Sequence, residues 1–195
     1  MEDRITQLLS AHIESSIALA DQLPAQIIEA GTLLAQSLLS DGKLLLCAHG
    51  RAYANGVHFV TSMLNRYEVE RPPLPVMMLG THVPILHALI SEGHNDQVFA
   101  REIQALGSPQ DLLLILSTSG SASSLVQAVH AAKEKGMDCI VVCGEDGGML
   151  AHHLGPSDIS IRVPSAVPSR IVELQLVVLH GFCEVIDSVL FSQVE

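Results

Sequence analysis

Residues 111 to 120 read Asp-Leu-Leu-Leu-Ile-Leu-Ser-Thr-Ser-Gly, an apolar run that ends in three hydroxyl residues and a glycine. The segment that follows, Ser121 to Lys135, has helical spacing. This order predicts a buried strand, a hydroxyl-rich turn and a helix N-terminus. The first turn of a helix carries free backbone N–H groups and the positive end of the helix dipole, so an anion is stabilised there. Serine and threonine hydroxyls add neutral donors around phosphate oxygens. The chemistry expected of the segment is therefore the holding of a phosphorylated small molecule. The alternative is a turn that only caps its own helix through Ser119 or Ser121.

The other reactive side chains point elsewhere. Cys47, Cys139, Cys143 and Cys183 all lie in apolar runs, and no pair has the two-residue spacing of a zinc knuckle or redox motif. They are expected to be buried free thiols in a reducing cytoplasm. Lys+Arg number 10 against Asp+Glu 21, a net charge of −11, which disfavours direct binding to a nucleic-acid backbone. Aromatics are 3% with no Trp, too few for base-stacking platforms. No signal peptide is visible, and no apolar run reaches the roughly 18 residues of a membrane span. A cytoplasmic location with no membrane contact is expected.

The elements that must position these groups follow from periodicity. Residues 2 to 20 carry apolar positions at helical spacing, and Pro24 opens a second helix that Asp41-Gly42 ends. Five strands are expected, at Lys43–Ala48, Val76–Gly80, Asp111–Leu116, Asp138–Cys143 and Asp158–Val163. Helical stretches separate them: 53 to 66, 84 to 106 with a break at Gly93, 121 to 136 and 147 to 154. A long helix from about Ser169 to Val189 closes the chain. Alternation of strands and helices implies right-handed crossovers and a parallel sheet. The fold class is α/β: a three-layer α/β/α sandwich with a five-stranded parallel sheet and an N-terminal helical extension. A single domain over 1–195 is expected, with 1–40 as oligomerisation helices and 41–195 as the α/β core.

Ligands of such sheets sit outside the carboxyl ends of the strands. Three loops meet there: Ala48 to Asn55, Gly80-Thr81-His82, and Ser117 to Ser121. The strand–Ser-Thr-Ser-Gly–helix turn, Asn65-Arg66-Tyr67 with Glu70-Arg71-Pro72, the segment Gly144-Glu145-Asp146-Gly147-Gly148, and the long last helix starting near Arg170 together resemble the sugar-isomerase (SIS) domain family. The resemblance covers nearly the whole chain and implies a flavodoxin-like sheet. It divides between two branches, isomerases of sedoheptulose 7-phosphate and proteins that associate with the replication initiator DnaA.

Similarity to the isomerases implies a zinc-supporting set of His, Glu, Gln and His at positions 58, 62, 172 and 180. This chain has His58, Ser62, Val172 and His180 there. The carboxylate that would serve as ligand and base is missing, and so is the amide. Two histidines make a poor zinc site, since stable sites use three or four protein ligands. No zinc, no metal and no catalytic residue are expected, with His58 and His180 as vestigial candidates. Glu173 is a weak substitute, because the next residue on a helix points roughly 100° away. In the first loop the isomerases' Cys-Gly-Asn-Gly-Gly-Ser is replaced by Cys47-Ala48-His49-Gly50-Arg51-Ala52. Ser117, Ser119 and Ser121 survive as hydroxyl donors, and Arg51 is a replacement anion ligand. These four are the expected residues for any phosphorylated sugar still bound.

On the DnaA-associating side, Ser62-Met63 after His58-Phe59 and the stretch Leu154 to Ser165 carry the likeness. The chain ends its last helix on Leu190-Phe191, a pair the resemblance implicates in gripping DnaA. The competing assignment is that both residues pack on their own protomer or across a homo-oligomer interface. The expectation is a non-catalytic homotetramer that binds several DnaA molecules. The rivals are a phosphoheptose isomerase with an altered site and a phosphosugar sensor.

Overall fold

The computed structural model describes residues 1–191. The expected domain's last four residues lie outside that range. Helices α1 (Glu2–Gln22) and α2 (Pro24–Leu39) precede the sheet. They are followed by β1 (Leu44–Ala48), α3 (Tyr53–Leu64), β2 (Val76–Met78), α4 (Val83–Ser91), α5 (Ala100–Leu106) and β3 (Leu112–Leu116). Then come α6 (Ser123–Glu134), β4 (Asp138–Cys143), β5 (Ile159–Arg162) and α7 (Pro168–Phe191). The five strands are all parallel, in the order β2-β1-β3-β4-β5. The order reverses between β1 and β3, which places the crevice of the sheet over the β1 and β3 loops.

The strands read as unbroken apolar runs because both faces are covered. Leu44, Leu46, Leu112, Leu114, Leu116, Ile140 and Val142 face one layer, packed with α2, α3 and α7 residues such as Leu34, Phe59, Leu179 and Phe182. Their alternates Leu45, Cys47, Leu113, Ile115, Cys139 and Val141 face the other, against Ile103, Leu125, Ala128 and Val129 of α5 and α6. The period of two along a strand makes this division.

The stretch expected as one broken helix over 84–106 is α4 and α5, parted where Gly93 takes φ +79° and a 3-10 turn spans Asn95–Gln97. The helix expected over 147–154 is a 3-10 segment, Met149–His152, since Gly147 and Gly148 both hold positive φ and cannot continue a helical turn.

Helix α7 is long and apolar enough to cross a membrane by length and composition, which departs from the expectation that no run reaches that length. Its place in the fold is a core helix. Arg170, Ile171, Leu174, Gln175, Val178, Leu179, Phe182, Cys183 and Ile186 are buried in the fold.

Helix α1 is the opposite case. Only Leu19 of its residues is buried. Ile5, Leu9, Ile13 and Ile17 stay 52 to 57% exposed. Polar bonds tie it to the start of α7: His12 Nδ1 lies 2.7 Å from Glu173 Oε2, and Arg170 donates to the Leu8 carbonyl.

Candidate functional site

At the carboxyl edge of the sheet the β3–α6 turn is held by its own hydroxyls. The Ser117 Oγ accepts from the Gly120 N–H at 3.0 Å, and the Ser121 Oγ donates to the Ser119 carbonyl at 3.1 Å. The Ser119 Oγ accepts from the Ser121 N–H at 3.4 Å. None of these side chains caps α6: its N-cap is Ala122, with no side-chain bond. The capping role expected for Ser119 or Ser121 is therefore not what they do. They shape a turn and leave the helix N-terminus without a side-chain acceptor, the arrangement that suits an anion.

The loop after β4 closes on this turn. A Cβ placed at Gly120 would stand 2.3 Å from the Gly147 carbonyl oxygen, and one at Gly148 2.1 Å from the Ser119 carbonyl oxygen. Both glycines hold positive φ. Between the loops and the start of α7 is a cavity of about 190 Å³ lined by Thr118, Ser119, Gly144, Glu145, Asp146, Ser165, Ala166, Pro168 and Ile171. Of the four expected sugar-binding residues only Ser119 lines it. Ser117 is buried beneath, Ser121 is exposed at the rim, and Arg51 is exposed on a single 3-10 turn, Gly50–Ala52. Glu145 and Asp146 bring carboxylates to a cavity that would have to receive a phosphate, and like charges repel there.

Gln175 supports the floor. Fully buried, it donates through Nε2 to the carbonyls of Ser117 and Val142, each at 2.8 Å, and its Oε1 has no partner. The sequence signal for it was a lone amide on the apolar face of α7.

The four positions of the isomerases' metal set sit on α3 and α7. His58 and His180 meet, Nε2 to Nε2 at 3.0 Å, with ring centroids 5.1 Å apart in an edge-on arrangement. Each imidazole therefore takes the other as partner. The Ser62 Oγ donates back to the His58 carbonyl within α3. Val172 offers only its carbonyl, which accepts from Asn55 Nδ2 at 2.7 Å. Glu173 is committed to Arg170, at 2.6 Å, and to His12. Among the described residues no third His, Cys, Asp or Glu joins the two imidazoles in a cluster, so they do not fit a zinc ion that needs three or four protein ligands.

Burial, and then the neighbouring His58, lower the pKa of His180; Glu68 opposes this. A base with a depressed folded pKa is bound to fewer protons in the native state than in the unfolded one. Its contribution is complete above the unfolded value, about 6.5, and is lost as pH falls through it towards the folded one. The melting temperature is expected to fall on acidification through this range, and less steeply in His58→Gln, where the like charge is gone. Equal slopes in scanning calorimetry would refute the coupling.

The four cysteines are free and buried. Burial pushes the Cys139 and Cys183 thiols up to about 12 and Cys143 to about 11. None is a thiolate nucleophile at neutral pH.

At the far end of α7, Leu190 and Phe191 are half-buried and pack against the edge of the core. Phe191 also lines an open cleft of about 410 Å³ with Val69, Glu70, Arg71, Pro72, Glu184, Asp187 and Ser188. Arg71, which the sequence offered only as part of a motif, organises this corner. Its Nε donates to Asp187 Oδ1 at 2.6 Å, and its two terminal nitrogens donate to the Met63, Pro72 and Ser62 carbonyls. Its guanidinium carbon is 5.9 Å from the Phe191 ring centroid.

A doubly wound parallel sheet with a glycine-locked hydroxyl turn beside a helix N-terminus defines the class as a three-layer α/β fold. The SIS domain model matches residues 10–144, and the chain belongs to that family. It is 41% identical over 191 residues to the DnaA initiator-associating protein DiaA of Escherichia coli O1:K1, covering 98% of this chain and 97% of that protein. The same protein of Shigella boydii serotype 18 matches equally. Among solved structures, a phosphoheptose isomerase from Francisella tularensis superposes with a TM-score of 0.92 at 33% identity, covering 95% of this chain and 97% of that one. The Neisseria gonorrhoeae phosphoheptose isomerase gives 0.89 at 31%, covering 95% and 99%.

Proposed function

We propose that this chain is a non-catalytic, cytoplasmic homotetramer that binds several DnaA molecules and promotes their assembly at the replication origin. The observation that carries this reading is the 41% identity, over 98% of the chain, with proteins whose name is DnaA initiator-associating protein. The chemistry of the old metal position supports it, since Ser62 and Val172 supply neither base nor ligand. Isomerisation of a ketose phosphate needs a group to move the proton between adjacent carbons. The exposed Ile5, Leu9, Ile13 and Ile17 on α1 are an apolar stripe of the kind that subunits cover in each other. A tetramer carries several identical DnaA faces, and linked weak sites raise effective concentration without new contacts. The net charge of −11 supports DNA contact by DnaA and not by this chain.

The test is retention of DnaA by the immobilised protein beside Leu190→Ala and Phe191→Ala variants shown to keep the parental assembly. Truncating a central aromatic anchor costs about 2 kcal/mol or more, so retention is expected to fall at least tenfold. Unchanged retention by both variants removes that patch, and a parent that retains no DnaA removes the reading.

A second reading, a phosphosugar sensor or residual isomerase, is favoured by the uncapped N-terminus of α6 beside the 190 Å³ cavity. Sedoheptulose 7-phosphate that raises the melting temperature would support sensing. Turnover abolished by His180→Ala would establish catalysis and overturn the non-catalytic assignment.

A further inference from the structure

The outer edge of the sheet carries an apolar cleft that neither the DnaA reading nor the sugar cavity uses. Strand β2 is an edge strand, paired only with β1. Met77 is in register with Leu45, so the period of two turns both towards the α5 and α6 layer. Leu45 is fully covered there, while Met77 at the edge stays 41% exposed. Helix α4 does not close the gap: only its Leu89 is buried, and Ile85 is 39% exposed. Leu106, in the last turn of α5, is 42% exposed. With Met78 and Ala105 these side chains wall an open cleft of about 470 Å³. That volume lies in the range of roughly 300–1,000 Å³ in which small-molecule sites fall. Thioether side chains on its wall adapt to irregular apolar bodies.

The polar groups of the cleft are unequally committed. Glu102 Oε2 accepts from the Gly80 N–H at 2.7 Å, and Thr81 Oγ1 donates to the Met78 carbonyl at 3.3 Å. Arg101 lines the cleft and is exposed, and among the described residues it enters no ion pair. A free guanidinium beside apolar walls recognises a carboxylate, bidentately where geometry allows. Glu102 on the same wall opposes a second negative charge, so a monoanion suits the cleft better than a phosphate dianion.

We propose that this cleft is a binding site for an amphiphilic carboxylate, separate from the cavity beside the β3–α6 turn. The apolar chain of the ligand lies against Met77, Ile85 and Leu106, and its single carboxylate meets Arg101.

The experiment follows the methyl resonances of Met77 and Met78 in the full chain as octanoate is added. Both are expected to shift until the site saturates. Arg101→Gln changes an exposed position and is expected to melt with the parent, yet to weaken octanoate about tenfold or more, the loss that accompanies a hydrogen bond to a charged group. Octanol has the same chain without the charge. It is expected to bind the parent more weakly than octanoate by a similar factor, and Arg101→Gln should leave its binding unchanged. Equal binding of octanoate by the parent and Arg101→Gln overturns the contact with Arg101, and tighter binding of octyl phosphate overturns the choice of a monoanion. Absence of any shift at Met77 and Met78 overturns the site, and an assembly that Leu106→Asp then dissolves gives the face to a second copy of this chain.

Discussion

Arg71→Ala is expected to lower stability by about 3–5 kcal/mol, because it strands a buried charge. The Arg71 side chain is 1% exposed and Asp187 11% exposed, so removing the arginine leaves a carboxylate with little access to water. It also takes a donor from the carbonyls of Ser62 and Met63 at the end of α3, of which Met63 keeps the Leu74 N–H. The pair joins the 65–72 segment to the last turns of α7. Loss of the pair is therefore expected to displace Phe191 as well, and DnaA retention should fall even where the protein remains folded. The discriminating control is Arg71→Met with Asp187→Leu. Replacing both partners by apolar groups of similar volume is often neutral or stabilising, whereas breaking one side is not. Chemical denaturation of the two single variants and the double one completes the cycle. Additive losses would show that Arg71 and Asp187 are not energetically coupled.

Gly148→Ala is expected to cost about 1–3 kcal/mol in backbone strain alone, and more if the loop does not yield. Gly148 stands at φ +56°, ψ −152°, a region essentially closed to residues with a Cβ. The added methyl would meet the Ser119 carbonyl oxygen at 2.1 Å, a backbone atom that no rotamer change moves aside. The β4 loop and the β3–α6 turn must then separate. Any stabilisation by sugar phosphates should disappear, while DnaA retention should persist. The reason is distance: Ile171 at the cavity and Phe191 at the cleft lie on one helix, and the twenty residues between them span about 30 Å. Thermal shift and DnaA retention on the same variant measure the two ends separately. Parental melting with an intact sugar response would refute the lock between the loops.

One helix, α7, lines both the cavity and the cleft. The N-terminal half of α7 faces the sheet edge where Ile171 lines the cavity and Gln175 holds the Ser117 and Val142 carbonyls. Its C-terminal turns carry Glu184, Asp187 and Phe191 to the opposite corner. Ser62 and Val172, where the resemblance implies Glu and Gln, lie apart from the buried positions Leu174, Val178, Phe182 and Ile186 of α7.

The β-strands and the hydroxyl turn were legible because each is a local pattern. An apolar run flanked by turn residues needs no partner to be recognised, and the five expected strands lie within a residue or two of those observed. Gly93 and Pro24 marked their boundaries for the same reason. The 147–154 stretch was misread as a helix because Gly147-Gly148 imposes positive φ that periodicity does not register. The corner at Arg71 was illegible: 116 residues separate it from Asp187, and nothing near either position announces the pairing.

By itself the sequence determined the order of strands and helices along the chain, its net charge of −11, and the absence of carboxylate and amide at positions 62 and 172. Those are properties of residues and of short spacings. The tertiary structure alone decided that His58 and His180 partner each other, that Ser117, Ser119 and Ser121 brace a turn and do not cap a helix, and that Phe191 shares a cleft with Arg71 and Glu184. Each of these depends on which distant segments the crossovers bring within a few ångströms. A one-dimensional pattern carries the tendency to form an element but not the register at which two elements meet.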